Sequence, residues 1–278
     1  MEYKANKKEN LIKSVIHNVQ GLSFSNAQKL LRKGDIKVNG KRCKENIEIN
    51  TGDNISVYLT MKKIPKVDII YLEDNFMVVN KSQGIECATR DKSSENTYSL
   101  EEILEEYNAI VVHRLDRLTE GLVILARNKE YAKEFERIFR NNLIEKKYLA
   151  KTYTPLKSLG IQTAYHKKDT KNSIVEISDT EKEGFKKIIT EFKDISDEKN
   201  KNLLEITLHT GKTHQIRAHL AHLKAPIIND TKYSGKKEIS GNYPGYFLTC
   251  YYLKFKLEKS DKLNQLNDLE FKINPSWL

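Results

Sequence analysis

Three places in this 278-residue chain carry residue types that could do chemistry, and none of them would do it alone. The first is the stretch AIVVHRLDRLTEGLVILARN, residues 109–128, in which Asp116 sits between Arg114 and Arg117 and three residues after His113. Neighbouring cations favour the charged form of a carboxylate. An ionised, oriented carboxylate can serve as a nucleophile or can face developing positive charge. A structural Arg–Asp pair that pins a loop would use the same residues. The second place is LHTGKTHQIRAHLAHLKAPI, residues 208–227, where Arg217 falls in the first turn of an expected helix. The helix dipole disfavours a cation at that end, so the position asks for a nearby anion, and Asp116 is a candidate. The third is Tyr148 in EKKYLAKTY, at an expected strand start. Such an aromatic is more often a core residue, and Tyr148 gains interest only beside Asp116 and Arg217.

Other chemistries are poorly served. His209, His214, His219 and His222 are close in sequence, but their spacing does not suit one metal site and no HExxH occurs. They are expected to face solvent or a polyanion from an amphipathic helix. Cys43, Cys87 and Cys250 are scattered and form no CxxC pair. There is no Walker-type loop and no GxGxxG. No metal, nucleotide or redox cofactor is expected.

The elements that must position these groups follow from periodicity. Ala109–Val112 and Leu122–Ala126 are apolar runs that predict buried strands on either side of the charged knot. DIIYLEDNFMVVNKSQG predicts strand, turn and strand; SLEEILEEY predicts a helix capped by Ser99. NKEYAKEFERIFRNNLIEKKYLAKTY predicts a helix with Tyr131, Phe135 and Ile138 inward, then a strand. NLLEITLH alternates as a strand. TGKTHQIRAHLAHL predicts a turn and a helix, with Thr213 as cap and Ile216, Leu220 and Leu223 on one face. YFLTCYYLKFKLE predicts a late strand or strand pair. Strands outnumber helices without regular alternation, so the fold class is α+β with a largely antiparallel sheet.

Residues 10–60 predict a smaller unit. In SNAQKLLRKG, Ala27, Leu30 and Leu31 share one helix side, while Lys29, Arg32 and Lys33 lie off it, with Ser25 as cap and Gly34 as stop. Asn39-Gly40 signals a hairpin and Thr51-Gly52-Asp53 a turn. A polar stretch with Pro65, residues 60–68, is the expected linker, which sets the domains at 1–62 and 63–278. The net charge of +10 favours a polyanionic partner, although the abundance of Lys, Asn and Ile also fits a coding bias. No apolar run approaches the roughly 20 residues of a membrane span. The charged first residues lack a leader's apolar core, so a cytoplasmic protein is expected, with a monomer as the default.

At these residues the chain resembles the RluA class of pseudouridine synthases. DIIYLEDNFMVVNKSQG is similar to the family's first motif, HRLDRLTEGLVILA to its catalytic motif, KKYLA to its tyrosine motif, and LHTGKTHQIRAHLAHLKAPIINDTKY to its arginine motif. Residues 10–60 resemble the small αL-type RNA-binding domain that often precedes the catalytic one. The chain departs from the pattern at Ser82, Glu120, Lys212 and Asn229, where Pro, Ser, Arg and Gly are usual. YFLTCYYLKF stands where the family commonly has Leu-His-Ala. The resemblance implies a mixed, largely antiparallel central sheet with flanking helices, plus a small N-terminal α/β RNA-binding domain. It implies that uridines in RNA are isomerised to pseudouridine, in large-subunit ribosomal RNA first and transfer RNA second, without a cofactor. Asp116 matches the catalytic aspartate, Arg217 the arginine beside it, and Tyr148 the tyrosine that stacks on uracil. Arg114 matches the residue that displaces the target base. His113, Lys212, His214, Lys29, Arg32 and Lys33 are expected at the RNA. Two other classes stay open: a catalytically silent RNA-binding or ribosome-assembly factor on this scaffold, and a base-releasing glycosidase with Glu120 as second carboxylate.

Overall fold

The computed structural model describes residues 1–19, 22, 24–58, 65–91, 97–169, 174–234 and 245–278. The chain divides into two compact units, Met1–Ile64 and Pro65–Leu278. The expected linker falls partly on residues 59–64, outside the described residues.

In the first unit, strands β1 (Glu2–Lys4), β2 (Glu9–Asn10), β3 (Ile36–Val38), β4 (Lys41–Cys43), β5 (Glu48–Ile49) and β6 (Asn54–Val57) accompany helices α1 (Leu11–Asn18) and α2 (Phe24–Lys33). The sheet order is β1-β6-β3-β4, and β2 pairs with β5. Leu11, Val15, Ala27 and Leu31 of the helices pack with Ile36, Ile55 and Val57 of the sheet in one core. Asn39 and Gly40 both take positive φ, which closes the β3–β4 hairpin at two residues. Helix α2 stops at Gly34, whose φ is +71°. It begins at Phe24, so Ser25 lies inside the first turn rather than capping it. Helix α1 had no counterpart in the sequence reading.

The second unit is built on one large sheet. Its strands are β7 (Asp68–Leu72), β8 (Phe76–Lys81), β9 (Ile110–Val111), β10 (Glu120–Ala126), β11 (Ile144–Lys151), β12 (Gly160–Asp169), β13 (Ile174–Ser178), β14 (Lys186–Asp194), β15 (Leu203–Leu208), β16 (Leu248–Phe255) and β17 (Glu270–Lys272). The order runs β13-β12-β14-β15-β11-β16-β10-β8-β7, with β17 on β16 and β9 on β10. Among the described strands, every pairing in this sheet is antiparallel except β10 with β16, which match only at Glu120↔Thr249 and Gly121↔Cys250. The mixed, mostly antiparallel sheet with flanking helices agrees with the expected fold class.

Among the described residues three α-helices flank the sheet: α3 (Leu100–Ile103), α4 (Lys129–Arg140) and α5 (Gln215–His222). Ser99 and Glu102 form a capping box on α3, which is one turn long and continues as a 3-10 turn, Glu105–Tyr107. Asn128 accepts a bond from the Tyr131 amide and caps α4, which buries Ala132, Phe135 and Ile138. The Phe135 ring meets Phe76 at 5.5 Å and Phe255 at 6.1 Å, tying the helix to both halves of the sheet. All seven residues of β10 are buried between β8 and β16, which is why the strand is apolar almost throughout rather than alternating. No helix among the described residues is long and apolar enough to cross a membrane.

Candidate active site

The charged knot is a loop, residues 113–119, held from several sides. The Ile124 amide donates to His113 Nε2 at 2.8 Å, and the His113 ring stacks on Phe139 at 4.1 Å. Cys87 Sγ accepts from the Leu115 amide at 3.2 Å. The Arg117 carbonyl accepts from the Gly84 amide at 2.8 Å and from Lys81 Nζ at 3.2 Å. Lys81 is fully buried, also donates to the Ser82 and Ile85 carbonyls, and burial lowers its pKa to about 8. The Arg117 side chain stands 3.9 Å from Glu86. Arg117 thus helps to pin the loop, through its carbonyl and its ion pair with Glu86.

Asp116 projects from this loop toward elements of the other half of the sheet. Arg217, on α5, donates from Nη1 to Asp116 Oδ2 at 2.8 Å. It also holds Asp230 with a two-pronged pair, Nε to Oδ2 at 2.7 Å and Nη2 to Oδ1 at 2.9 Å. The guanidinium carbon lies 4.3 Å from the Tyr246 ring centre and 5.1 Å from that of Tyr233. Burial alone would lower the pKa of Arg217. The hydrogen-bonded Asp230, with the carboxylate of Asp116 beside it, overrides it and raises the pKa instead. A cation in the first turn of α5 is thus accounted for by two carboxylates.

Among the described residues, every hydrogen bond to the Asp116 carboxylate falls on one oxygen. Tyr246 O–H donates to Oδ2 at 3.4 Å, and His214 Nε2 lies 3.8 Å from the same atom. Among the described residues, no group hydrogen-bonds Oδ1. Asp116 lines a cavity of about 70 Å³ with Arg114, Tyr148, Leu208, Lys212, His214 and Arg217, and many of the same residues line an adjoining cleft of about 470 Å³. His113, Arg140 and Lys146 join them in the cleft wall.

Tyr148 reaches the cavity from β11, where the register with β16 shifts between Lys147 and Tyr148. It is buried, hydrogen-bonds Cys250, and burial pushes its phenol well above the usual pKa. At neutral pH the ring is un-ionised. Leu208 faces the same cavity, so a flat ring placed there meets an aromatic and an aliphatic wall.

The loop before α5 is organised by Gln215, whose Oε1 accepts from Thr210 Oγ1 at 3.0 Å and from the Lys212 amide at 3.1 Å. The N-cap of α5 is His214 in the left-handed region, φ +52°, not Thr213. His214 Nδ1 meets Tyr233 O–H at 2.8 Å. Burial lowers the His214 pKa to about 4, only partly countered by Asp116. Helix α5 is buried over six consecutive residues, Gln215–Leu220, and is not amphipathic. His219 is therefore a core residue bonded to Thr190 Oγ1 at 3.1 Å rather than one facing solvent or RNA. His209 and His222 pair with Glu191 and Asp179. Among the described residues no cluster could hold a metal ion.

The structure brings Asp116, Tyr148, Arg217, Arg114, Lys212 and His214 to one cavity. His113 stands at the outer wall, with Nε2 turned inward. Lys29, Arg32 and Lys33 belong to α2 of the first unit, where Arg32 and Lys33 are exposed. Sequence reasoning gave no role to Asp230, Tyr246, Tyr233 or Lys81. Asp230 stood at the end of the arginine motif and could have been found there. Tyr246 follows Pro244-Gly245 in the sequence and carries no motif signal of its own.

The model of the RNA pseudouridylate synthase family matches residues 75–222, a span that contains Asp116, Tyr148 and Arg217. An uncharacterized RNA pseudouridine synthase of Mycoplasma genitalium is 33% identical over 264 residues, covering 84% of this chain and 81% of that protein. The chain belongs to the RNA pseudouridine synthases. The ribosomal large subunit pseudouridine synthase C of Buchnera aphidicola is 34% identical over 238 residues, 78% of this chain and 74% of that protein. The solved structure of human RNA Pseudouridylate Synthase Domain Containing 4 shares the fold, with a TM-score of 0.59 at 21% identity over 76% of this chain and 89% of that one.

The synthase breaks a glycosidic bond without releasing the base. Uracil turns in place and carbon 5 rejoins the ribose, so no leaving group departs and no second carboxylate is needed to protonate one. Glu120, the second carboxylate of the knot, does not line the cavity. Its Oε1 accepts from Thr249 Oγ1 at 2.8 Å and from the Ser276 amide at 2.9 Å, and its Oε2 accepts from Ser276 Oγ at 2.6 Å.

Proposed function

We propose that the chain is an RluA-class synthase that modifies uridines in large-subunit ribosomal RNA, with Asp116 as its catalytic carboxylate. One observation carries the assignment of Asp116. Arg217 holds Oδ2, while Oδ1 has no hydrogen-bond partner among the described residues in a carboxylate that lines the cavity. Oδ1 acts on the ribose of the bound uridine, at the anomeric carbon or on a ribose proton. Arg217 aims the carboxylate and is itself fixed by Asp230.

The target base must leave its stack before a side chain can reach the sugar, at a cost of a few kcal/mol. Arg114, exposed at the cavity mouth, takes the vacated space, and Tyr148 stacks on the uracil and takes part in removing the carbon 5 proton. Lys212 and His214 contact the same nucleotide region, with His113 at the outer wall. The first unit is an αL-type RNA-binding domain, and Lys29, Arg32 and Lys33 of α2 are its phosphate contacts. All these groups come from one chain, so a monomer suffices in this reading, which keeps the protein in the cytoplasm and asks for no cofactor. Ribosomal RNA is favoured as substrate by the likeness to the Buchnera large-subunit enzyme.

Site-resolved pseudouridine mapping of total RNA, from cells with and without the gene, tests the reading. A site in large-subunit ribosomal RNA should lose its pseudouridine and regain it with the wild-type gene but not with Asp116→Asn. Loss confined to transfer RNA would overturn the substrate, and restoration by Asp116→Asn would overturn the role of the residue.

A further inference from the structure

The joint between the two halves of the catalytic sheet is narrow. Strands β10 and β16 match at two residue pairs only, and a Cβ on Gly121 would overlap the Cys250 backbone. The Asp116 loop enters β10 on one side of this joint. Tyr148 on β11 and Tyr246, just before β16, stand on the other. The contacts that aim Asp116 therefore depend on how the joint is set.

Glu120 spans that joint. It is the first residue of β10, it is buried, and it lies in register with Thr249, which is fully buried. Its carboxylate takes Thr249 Oγ1 on one side and the amide and hydroxyl of Ser276 on the other. Trp277 completes the arrangement, donating from Nε1 to Thr249 Oγ1 at 2.9 Å and packing its ring against Phe247 at 5.4 Å. Phe247 is the residue after Tyr246, and Tyr246 O–H touches Asp116 and accepts from Thr119 at 3.5 Å. The segment beyond β17 thus grips both strands where the catalytic loop ends. Glu120 is one departure of this chain from the RluA pattern, and Thr249 lies within another, YFLTCYYLKF. The two meet in a single hydrogen-bonded pair.

We propose that Glu120, with Ser276 and Trp277, is a staple across the β10–β16 joint that positions Asp116 against Arg217. Glu120 is a positioning residue and touches no substrate. The proposal rests on Asp116 being the catalytic group, and the staple acts on the rate of the chemical step. A displacement of about 1 Å at a reacting group can cost about 100-fold in rate.

The test is single-turnover release of tritium by excess full-length enzyme from bulk RNA of cells that lack the gene and were grown with [5-³H]uridine. The expected result for Glu120→Ala, and for the double variant Ser276→Ala with Trp277→Ala, is a saturating rate at least about 10-fold below wild type. The enzyme concentration at half-saturation should stay within about twofold. Glu120→Gln keeps one acceptor oxygen, and its amide can donate to the Ser276 hydroxyl, so its rate should return to within about threefold. A folded Glu120→Ala enzyme at the wild-type rate would overturn the staple. Glu120→Gln as inactive as Glu120→Ala would overturn it too, since that is how a second catalytic carboxylate behaves. If Glu120→Ala does not fold, Ser276→Ala alone, at an exposed residue, decides the matter on the same scale. Asp116→Asn is run beside them: if it keeps the wild-type rate, the failure lies with the assignment of Asp116 and not with the staple.

Discussion

Asp116 and Glu120 are four residues apart, at the two ends of one turn, and their surroundings use carboxylates in opposite ways. Around Glu120 every oxygen is taken: three donors converge on it under the Thr249, Ser276 and Trp277 network. Around Asp116 the donors crowd onto Oδ2, and Oδ1 has no hydrogen-bond partner among the described residues. A buried carboxylate with both oxygens satisfied is part of the framework. One held by a single oxygen at a cavity wall is oriented and still has a reactive atom to offer. Neither charge nor position in sequence separates the two residues. The count of committed oxygens does.

The sharpest way to break this contrast is to remove the charge at each place without changing the shape. Asp116→Asn should reduce pseudouridine formation to background, a loss of at least about 10³-fold, while RNA binding by a filter or gel assay stays close to wild type. Glu120→Gln should leave most of the activity. Equal losses in the two variants would mean that the difference in their surroundings has no catalytic meaning.

Much of the Asp116 side was legible in the sequence. The knot lies between two apolar runs, Arg217 occupies an electrostatically awkward helix turn, and Tyr148 belongs to a strand, although at its middle and not at the expected start. Two of these three features demand an explanation in elementary physical terms. The antiparallel character of the sheet was legible in alternating strands such as NLLEITLH. The Glu120 side was not, because its partners lie 129 and 156 residues away and are set by how the sheet closes. Periodicity and capping report on neighbours in sequence. They do not say which distant hydroxyl satisfies a buried acid. The same limit hid Asp230, which fixes Arg217, and misled for His219, whose helix is buried all round instead of showing a wet face. His113 was expected at the RNA from the resemblance, yet its Nε2 is an acceptor for the amide of Ile124.

A smaller loss should come from disturbing what aims Asp116. Arg217→Lys keeps the charge but cannot reproduce three directed bonds to Asp230 and Asp116. The expected effect is about a 100-fold drop in the single-turnover rate, with RNA affinity little changed. A rate within a factor of three of wild type would show that Asp116 needs a positive neighbour and no particular geometry.

The knot also carries a stability signature. Burial lowers the pKa of His113 to about 3 and those of His214 and His219 to about 4. These rings are neutral in the fold, whereas in the unfolded chain they take up protons below about pH 6.5. The unfolded state then binds more protons, so their contribution is complete above pH 6.5 and is lost as pH falls toward 4 and below. Melting temperature should start to fall near pH 6.5, above the range in which ordinary carboxylates titrate. His113→Gln can still accept from the Ile124 amide but does not titrate there, so its melting curve should be flatter between pH 6.5 and 4. An unchanged slope would mean that His113 takes up no more protons in the unfolded chain than in the fold.

The mildest effect on chemistry should come from the unit that contains neither carboxylate. Removing residues 1–64 takes away Lys29, Arg32 and Lys33 while leaving the Asp116 and Glu120 surroundings whole. If those side chains meet phosphates, fewer counterions are released on binding. The slope of log affinity against log salt should then become less negative by about 0.7 to 0.9 per lost contact, about 2 to 3 for all three. At saturating enzyme the single-turnover rate should match that of the full chain, because the carboxylate that reacts and the carboxylate that positions it are both still in place. A shortened enzyme that binds with the same slope would remove the first unit from RNA recognition. One that binds normally but reacts slowly would mean that the contrast between Asp116 and Glu120 does not account for the whole of the chemical step.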